Sequence, residues 1–354
     1  MIDILIETNF YNNKRIFNLI EGIKKVSVKR KENISLYFDC EKITEKNKHV
    51  IVLGASKSWI EHVTQILQQK CANLVIFGHQ PQNAIKPYNC VVQSYEKTMY
   101  LLTKMLLEKG KDSVAFFGYN KDSLPDILKL RGFLKAIEES EVENYKIFEN
   151  DGNIDKLVKD FCIVSENYKN VVCVNDSLAV LLLQKLQNPE NYNISGMGGM
   201  LITKYMSYPL LTARLDYFKS GIAIAELYNS MRKSEMLNNM VLTLDMQIIY
   251  NNEVVDDIEN KPIILKQSEK SINFFSNDDV LEIDNVELML ANMDEIDWSI
   301  LKDLMGGLSY EAISEKYFMA HNTVKYRIRK LKSYVGCQSK TELVEILKKY
   351  DIKG

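Results

Sequence analysis

The sequence predicts an α/β protein of two lobes, each a doubly wound parallel sheet, followed by a small all-α module. Three observations carry this. From the first residue to about residue 250, short apolar β-rich runs alternate with segments of helical period, as the strands and crossover helices of a parallel sheet do. That stretch is roughly twice the length that one doubly wound sheet uses, so two lobes enclosing a cleft are expected rather than one large sheet. Past residue 294 the strand-like runs stop and only helical spacing remains.

The strands predicted, in order, are Ile2–Ile6, Val50–Gly54, Leu74–Gly78, Cys90–Gln93, Ser113–Gly118, Tyr145–Glu149, Val171–Val174 and Ile194–Gly198. Several end in glycine or at a Ser/Asp cap, as strand-to-helix turns require. Helical patterns fall between and after them at about 14–28, 57–70, 95–109, 124–139, 153–166, 177–187 and 217–232. After Val241–Tyr250 the pattern degrades into KQSEKSINFFSNDDVLEIDN, polar and acidic with no clear period. Residues 266–293 therefore read as a linker, within which Val286–Met293 has the makings of a short helix.

In the tail, four segments keep an apolar face at i, i+3, i+4, i+7 spacing. Asp297–Met305 carries Ile300, Leu301, Leu304 and Met305, and Ser309–Tyr317 carries Ala312 and Ile313. Thr323–Tyr334 carries Val324, Ile328 and Leu331, with Val335 just beyond, and Thr341–Tyr350 carries Leu343, Val344, Ile346 and Leu347.

The whole chain of 354 residues has a formal net charge of only −2, so an anionic partner has to be met by a local patch. One exists. Between Ala320 and Ser333 lie Lys325, Arg327, Arg329, Lys330 and Lys332 with no acidic residue among them. The helical spacing turns Asn322, Lys325, Tyr326, Arg329 and Lys330 outward, a basic polar face of the kind that neutralises phosphates and reads base edges in a groove.

Other classes are disfavoured. No apolar run reaches the roughly 18 residues of a membrane span, and MIDILIETNF lacks the features of a signal peptide, so a cytoplasmic protein is expected. Cys40, Cys71, Cys90, Cys162, Cys173 and Cys337 form no C-x-x-C pair and have no histidine at ligand spacing, which predicts reduced, mostly buried thiols and no metal. A P-loop, G-x-S-x-G and G-x-G-x-x-G are all missing, so neither an enzyme nor a cofactor is expected.

Two resemblances sharpen the reading. Gly307, Leu308, Ser309, Glu311, Ile313, Thr323, Val324 and Lys325, with the later Lys-Leu, Val-Gly-Cys and Ser-Lys-Thr-Glu-Leu, resemble the LuxR-type helix-turn-helix domain over about residues 294–350. The resemblance implies a helix-turn-helix domain over 294–354 that contacts DNA through Ser309, His321, Asn322, Thr323, Lys325, Tyr326, Arg329 and Lys330. Ala320 stands where that family usually has a capping serine; the change costs about 1 kcal/mol of capping or moves the cap to Asn322.

Residues 1–265 resemble the sensor domain of LacI-type repressors, a periplasmic-binding-protein-like fold. The resemblance rests on Leu130-Arg131-Gly132-Phe133 followed by Ala136-Ile137, on Val174-Asn175-Asp176-Ser177 followed by Ala179, on Ile194-Ser195 with Gly198, on Pro209-Leu210-Leu211-Thr212, and on Ser220-Gly221 followed by Ala223. It implies a small polar effector, sugar-like or another metabolite, and a homodimer. In that family the DNA-reading helices precede the sensor, whereas here the first strand begins at Ile2 and the basic module follows, so the sensor is expected to act through the linker.

The resemblance implies Asp176 as a ligand contact; the residues alone also allow it to cap the helix beginning at Ser177. The family arginine before Gly132 is Lys129, leaving Arg131 as a displaced guanidinium, and the aspartate after Cys90–Gln93 is Ser94. The family's Gly-Phe-Asp turn reads Gly198-Gly199-Met200, and its late glutamine is Leu215. Near the first strand, Asn9, Phe10, Tyr11 and Arg15 offer an aromatic and a cation. The candidate ligand set is thus Asp176, Lys129, Arg131, Ser94, Tyr11 and Arg15. Two functions stay open: a metabolite-responsive DNA-binding regulator, or a regulator whose large domain serves dimerisation or protein interaction.

Overall fold

A computed structural model describes residues 1–8, 11, 14–54, 56–70, 73–80, 88–110, 113–233, 239–250, 253–254 and 277–352. Of the positions singled out above, Asn9, Phe10, Cys71 and residues 266–276 lie outside these. The chain divides into two units, Met1–Ser94 with Leu215–Met246 and Tyr95–Arg214 with Gln247–Gly354.

The first unit is built on an all-parallel sheet of β1 (Ile2–Ile6), β2 (Ile34–Tyr37), β3 (His49–Leu53), β4 (Asn73–Phe77), β5 (Asn89–Gln93) and β11 (Val241–Leu244). The spatial order is β11-β5-β4-β3-β1-β2. Alternate residues of the strands bury opposite faces. Ile4, Ile6, Ile51, Leu53, Val75 and Val91 pack under α1 (Lys14–Lys29) and α8 (Tyr217–Lys233), while Leu5, Val50, Val52, Leu74, Ile76 and Cys90 pack on Ile60, Val63 and Leu67 of α2 (Lys57–Gln69). This two-sided burial is why the strands read as unbroken apolar runs. The helices α1 and α8 meet backbone to backbone: a Cβ on Gly22 would lie 2.1 Å from the Phe218 carbonyl oxygen.

In the second unit the parallel sheet runs β7-β6-β8-β9, from β6 (Val114–Tyr119), β7 (Tyr145–Glu149), β8 (Asn170–Cys173) and β9 (Asn193–Ser195). Neighbours in β6 show the two faces. Phe116 packs at 4.8 Å from Phe133 of α4 (Leu124–Glu139), and Phe117 at 5.3 Å from Phe161 of α5 (Ile154–Val164). The glycine of the Arg-Gly-Phe run lets α4 close on α3 (Tyr95–Leu107), since a Cβ on Gly132 would fall 2.1 Å from the Glu96 carbonyl oxygen. After α6 (Asp176–Lys185) come α7 (Ile202–Tyr205) and a small antiparallel sheet of β10 (Thr212–Arg214), β12 (Gln247–Tyr250) and β13 (Glu253–Val254).

Four helices follow in the tail as the spacing predicts: α10 (Glu295–Met305), α11 (Tyr310–Lys316), α12 (His321–Val335) and α13 (Lys340–Lys349). Ahead of them α9 (Asp278–Ala291) occupies what the sequence reads as linker, beginning eight residues before the short helix at Val286–Met293. Asn277 caps it by accepting the Val280 N–H at 3.1 Å, and Val280, Ile283, Val286, Met289 and Leu290 are buried. The five acidic residues spread through α9 hide that apolar spacing. The strands β2 and β11 are likewise absent from the sequence reading: both are sheet edges whose residues are only half covered. Among the described residues no helix is long and apolar enough to cross a membrane, and no group of His, Cys, Asp and Glu has metal-binding geometry.

Candidate functional site

In the helical module, α12 buries Val324, Ile328, Leu331 and Val335, which leaves Asn322, Thr323, Lys325, Tyr326, Arg329 and Lys330 exposed. Five of these, Asn322, Lys325, Tyr326, Arg329 and Lys330, are the outward face that the spacing predicts, and Thr323 joins them. Of the other two cations in the stretch, Lys332 is half-buried and donates to the Gln338 carbonyl at 2.7 Å, and Arg327 faces inward. Arg327 donates to Asp294 at 2.8 Å and to the buried Asp297 at 2.6 Å, both in the capping box that opens α10, and so ties α12 to α10. Ser309 is the N-cap of α11 and accepts the Ala312 N–H at 3.2 Å. His321 is half-buried at the start of α12, its Nδ1 3.5 Å from Glu311.

The cap of α12 does not move to Asn322. Ala320 occupies the N-cap position in extended backbone (φ −62°, ψ 138°) and supplies no side-chain acceptor. In the turn before it Phe318 adopts the left-handed region at φ 51° and is 98% exposed.

The candidate effector residues divide between the units. In the first, Arg15 lies over the Tyr217 ring at 5.8 Å, and Tyr11 is exposed, edge-on to Phe38 at 4.9 Å. Ser94 is buried, its N–H donating to Leu244 at 2.9 Å. Beside them Glu7, at the end of β1, accepts from the backbone N–H of Ser56 at 3.1 Å and from its hydroxyl, joining the loops after β1 and β3.

In the second unit, Lys129 is buried, paired with Asp126 at 2.9 Å and set over the Tyr95 ring at 5.5 Å. Arg131 is half-buried beside Glu96. Burial pushes the Glu96 carboxyl up, and the Arg131 and Lys135 charges oppose that shift.

Asp176 is only 1% exposed and holds the loop after β9. Its Oδ1 accepts the Thr212 hydroxyl at 2.6 Å and its Oδ2 the Met200 N–H at 2.8 Å. Glycine is required there because a Cβ on Gly196 would lie 2.4 Å from Oδ1. The helix cap is not Asp176 but its neighbour: Asn175 accepts the Leu178 N–H at 2.9 Å, and α6 begins at Asp176. Lys129 thus pairs with Asp126, and Asp176 engages Thr212 and Met200. A groove of about 280 Å³ between α5 and α6, lined by Val158, Cys162, Leu181 and Lys185, contains none of the predicted residues.

Sequence reasoning missed a set of residues that, within the second unit, join the helical module to the α/β part bearing Asp176. Glu287 on α9 accepts the Leu201 and Ile202 N–H groups at 2.8 and 2.9 Å. Tyr205 packs on Trp298 of α10 with ring centroids 4.3 Å apart. On α9, Asp279 pairs with Lys185 of α6 at 2.9 Å and with Lys349 at 3.0 Å. Glu282 takes Lys349 at 2.7 Å and the Tyr350 hydroxyl at 2.6 Å. The partners of Glu287 are 85 and 86 residues away in sequence, beyond the reach of any local pattern.

No protein-family model matches the chain. Over 186 residues it is 23% identical to an uncharacterized HTH-type transcriptional regulator, YvdE, of Bacillus subtilis (strain 168), covering 50% of this chain and 56% of that protein. The chain spans about half the length of the curated relatives it matches, which are HTH-type transcriptional regulators and repressors. Among solved structures, the transcription regulator CcpA of Lactococcus lactis aligns with a TM-score of 0.54 at 18% identity, over 71% of this chain and 99% of that one. A LacI family transcriptional regulator from Enterococcus faecium, solved with ribose, aligns with a TM-score of 0.54 at 15% identity, over 72% and 100% of the two chains. Over that share of the chain the fold is that of these solved transcription regulators.

Proposed function

We propose that this chain is a one-component, non-enzymatic transcription regulator. Its α/β sensor responds to a small polar cytoplasmic effector and controls DNA binding by a LuxR-type helix-turn-helix over residues 294–354. The observation that carries the reading is the exposed face of α12: Asn322, Thr323, Lys325, Tyr326, Arg329 and Lys330 project together while Arg327 turns inward and is spent on α10. Cations on such a face neutralise phosphates and the polar side chains reach base edges. The likeness of the rest of the chain to sensors of transcription regulators supports the pairing of the two parts, and the ribose held by the Enterococcus protein supports a small polar effector. Binding as a homodimer to a two-fold site goes with this reading.

A second reading, in which the large domain serves dimerisation or protein interaction and binds no metabolite, has its own support. Asp176 and Lys129, two of the polar groups expected to meet an effector, are buried and internally paired. A thermal-shift screen of the full chain against sugars, nucleobases, amino acids and small acids separates the two. A rise in melting temperature that grows with ligand concentration, and that shrinks in Arg131→Ala, supports the sensor. No rise with any compound, together with association of the chain in solution, favours the interaction reading.

A further inference from the structure

Segment 201–207 touches three parts of the C-terminal region. Its first two amides, Leu201 and Ile202, are both held by the Glu287 carboxylate of α9. One turn on, Tyr205 stacks on Trp298 of α10 at 4.3 Å. Met206 then pairs with Ile352 in an antiparallel bridge, and the Ser207 N–H donates to the Asp351 carbonyl at 3.2 Å.

The same segment is held from the other side by Asp176. Its carboxylate takes the Met200 N–H, and Thr212, which donates its hydroxyl to Asp176, accepts the Gly199 N–H at 3.2 Å. Between the two grips lies α7, a helix of four residues whose N-cap, Leu201, has no side-chain acceptor. A helix that short has no stability of its own, because one turn does not repay the entropy of nucleation. It is ordered by what grips it.

We infer that segment 196–207, centred on α7, is the element through which the state of the β8–α6 junction reaches the DNA-binding module, by a non-covalent route that does not need the linker. A group that draws the Asp176 carboxylate or the Thr212 hydroxyl toward itself frees the Met200 and Gly199 amides. The four-residue helix then loses its side-chain hold on the Asp176 side, where the backbone bonds of Gly196 to Leu211 and of Gly198 to Ala213 end two residues short of Met200, and the Glu287 and Trp298 contacts are left to a segment less firmly held. Coupling of this kind needs an element with two arrangements that both ends bias, and α7 is that element. The inference rests on the proposed function in taking α10–α13 as the DNA-binding output.

The test is amide hydrogen exchange on the full chain, with neither effector nor DNA present, comparing wild type with Glu287→Gln and Asp176→Asn. Glu287→Gln is expected to speed exchange at residues 201–205 by about tenfold, the loss of charge-assisted bonds to two amides. Asp176→Asn is expected to speed exchange at 196–205 and also, several-fold, at 287–305 and 349–352, while β1 and β3 exchange as before. Thr212→Val, which removes one hydroxyl donor, is read the same way should Asp176→Asn fail to fold.

In Asp176→Asn, or in Thr212→Val in its place, faster exchange confined to 196–205, no change at all, or a uniform rise that includes β1 and β3 overturns the inference. Failure of the proposed function shows elsewhere: DNA binding indifferent to Lys325→Ala and Arg329→Ala would sink that reading and leave the exchange result standing.

Discussion

Arg327 reaches from the middle of α12 to the first turn of α10, donating to Asp297 at 2.6 Å and to Asp294 at 2.8 Å. The Asp297 side chain is almost fully covered. One of the five cations in the basic stretch is therefore structural, and it sets the angle at which the exposed Lys325, Arg329 and Lys330 are presented. Replacing Arg327 by Met keeps the aliphatic stem but leaves a buried carboxylate without its charge partner, a change expected to cost about 2 kcal/mol. Denaturant unfolding measures it. A loss below about 0.5 kcal/mol, the scale of an exposed pair, would mean the bridge is idle.

Acid should loosen the module before it unfolds the sheets. The Arg327 hydrogen bond holds the Asp294 carboxyl below its ordinary value, and the Lys185 hydrogen bond, with help from Lys349, does the same for Asp279. A carboxylate depressed in the folded state contributes stability that is complete above its unfolded value, about 3.9, and is lost as the pH falls through the folded value. The attachment of α9 and α10 is thus insensitive to pH near neutrality and weakens below about pH 4. Trp298 fluorescence in a Trp59→Phe background follows it, since Trp298 is stacked on Tyr205 across the same attachment. A transition centred near pH 6 would implicate a histidine instead.

The cap of α12 offers a gain. Ala320 already has the extended backbone of an N-cap but no acceptor, so the first amides of the helix lack a side-chain partner. Ala320→Ser supplies a hydroxyl oxygen within reach of the N–H of Asn322 or Thr323 and is expected to add about 1 kcal/mol to the module's stability. An unchanged melting midpoint would mean that those amides are satisfied in some other way.

What the sequence made legible follows from how each feature is encoded. The central strands and the helices of the tail carry their burial locally, as unbroken apolar runs or as Val324, Ile328, Leu331 and Val335 at helical spacing, and so do the exposed cations of α12. Edge strands β2 and β11 are half covered and leave a weak trace. The acidic residues of α9 mask its buried face, because a polar-rich stretch reads as linker until its partners Lys185 and Lys349 are known. The polar grips of Asp176 on Thr212 and Met200, and of Glu287 on α7, join residues 24 to 86 positions apart. Nothing in local pattern encodes a hydrogen bond at that separation.

For the DNA face, phosphate contacts and base contacts predict different signatures. Each cation that neutralises a phosphate adds about one unit to the slope of log affinity against log salt concentration. Lys325→Ala and Arg329→Ala, made singly, are each expected to lower affinity for a duplex selected from a random pool and to flatten that slope by about one unit. Loss of affinity with an unchanged slope would place the side chain on a base edge. No loss in the double variant would remove α12 from the interface.

Phe318 closes the turn between α11 and α12 in the left-handed region, at φ 51°, with its ring almost entirely in solvent. A side chain with a Cβ costs roughly 1–2 kcal/mol in that conformation, and asparagine or glycine tolerates it better. Among the described residues the exposed ring has no packing to set against the strain. Phe318→Gly is therefore expected to stabilise the isolated protein slightly, by about 0.5–1 kcal/mol once the entropy that glycine loses on folding is counted. If the variant is instead destabilised, the ring has a covered position in solution that a monomer does not provide, and sedimentation at increasing concentration would find it. If stability rises while affinity for the selected duplex falls, the ring belongs to the DNA interface and the strain is retained for that contact.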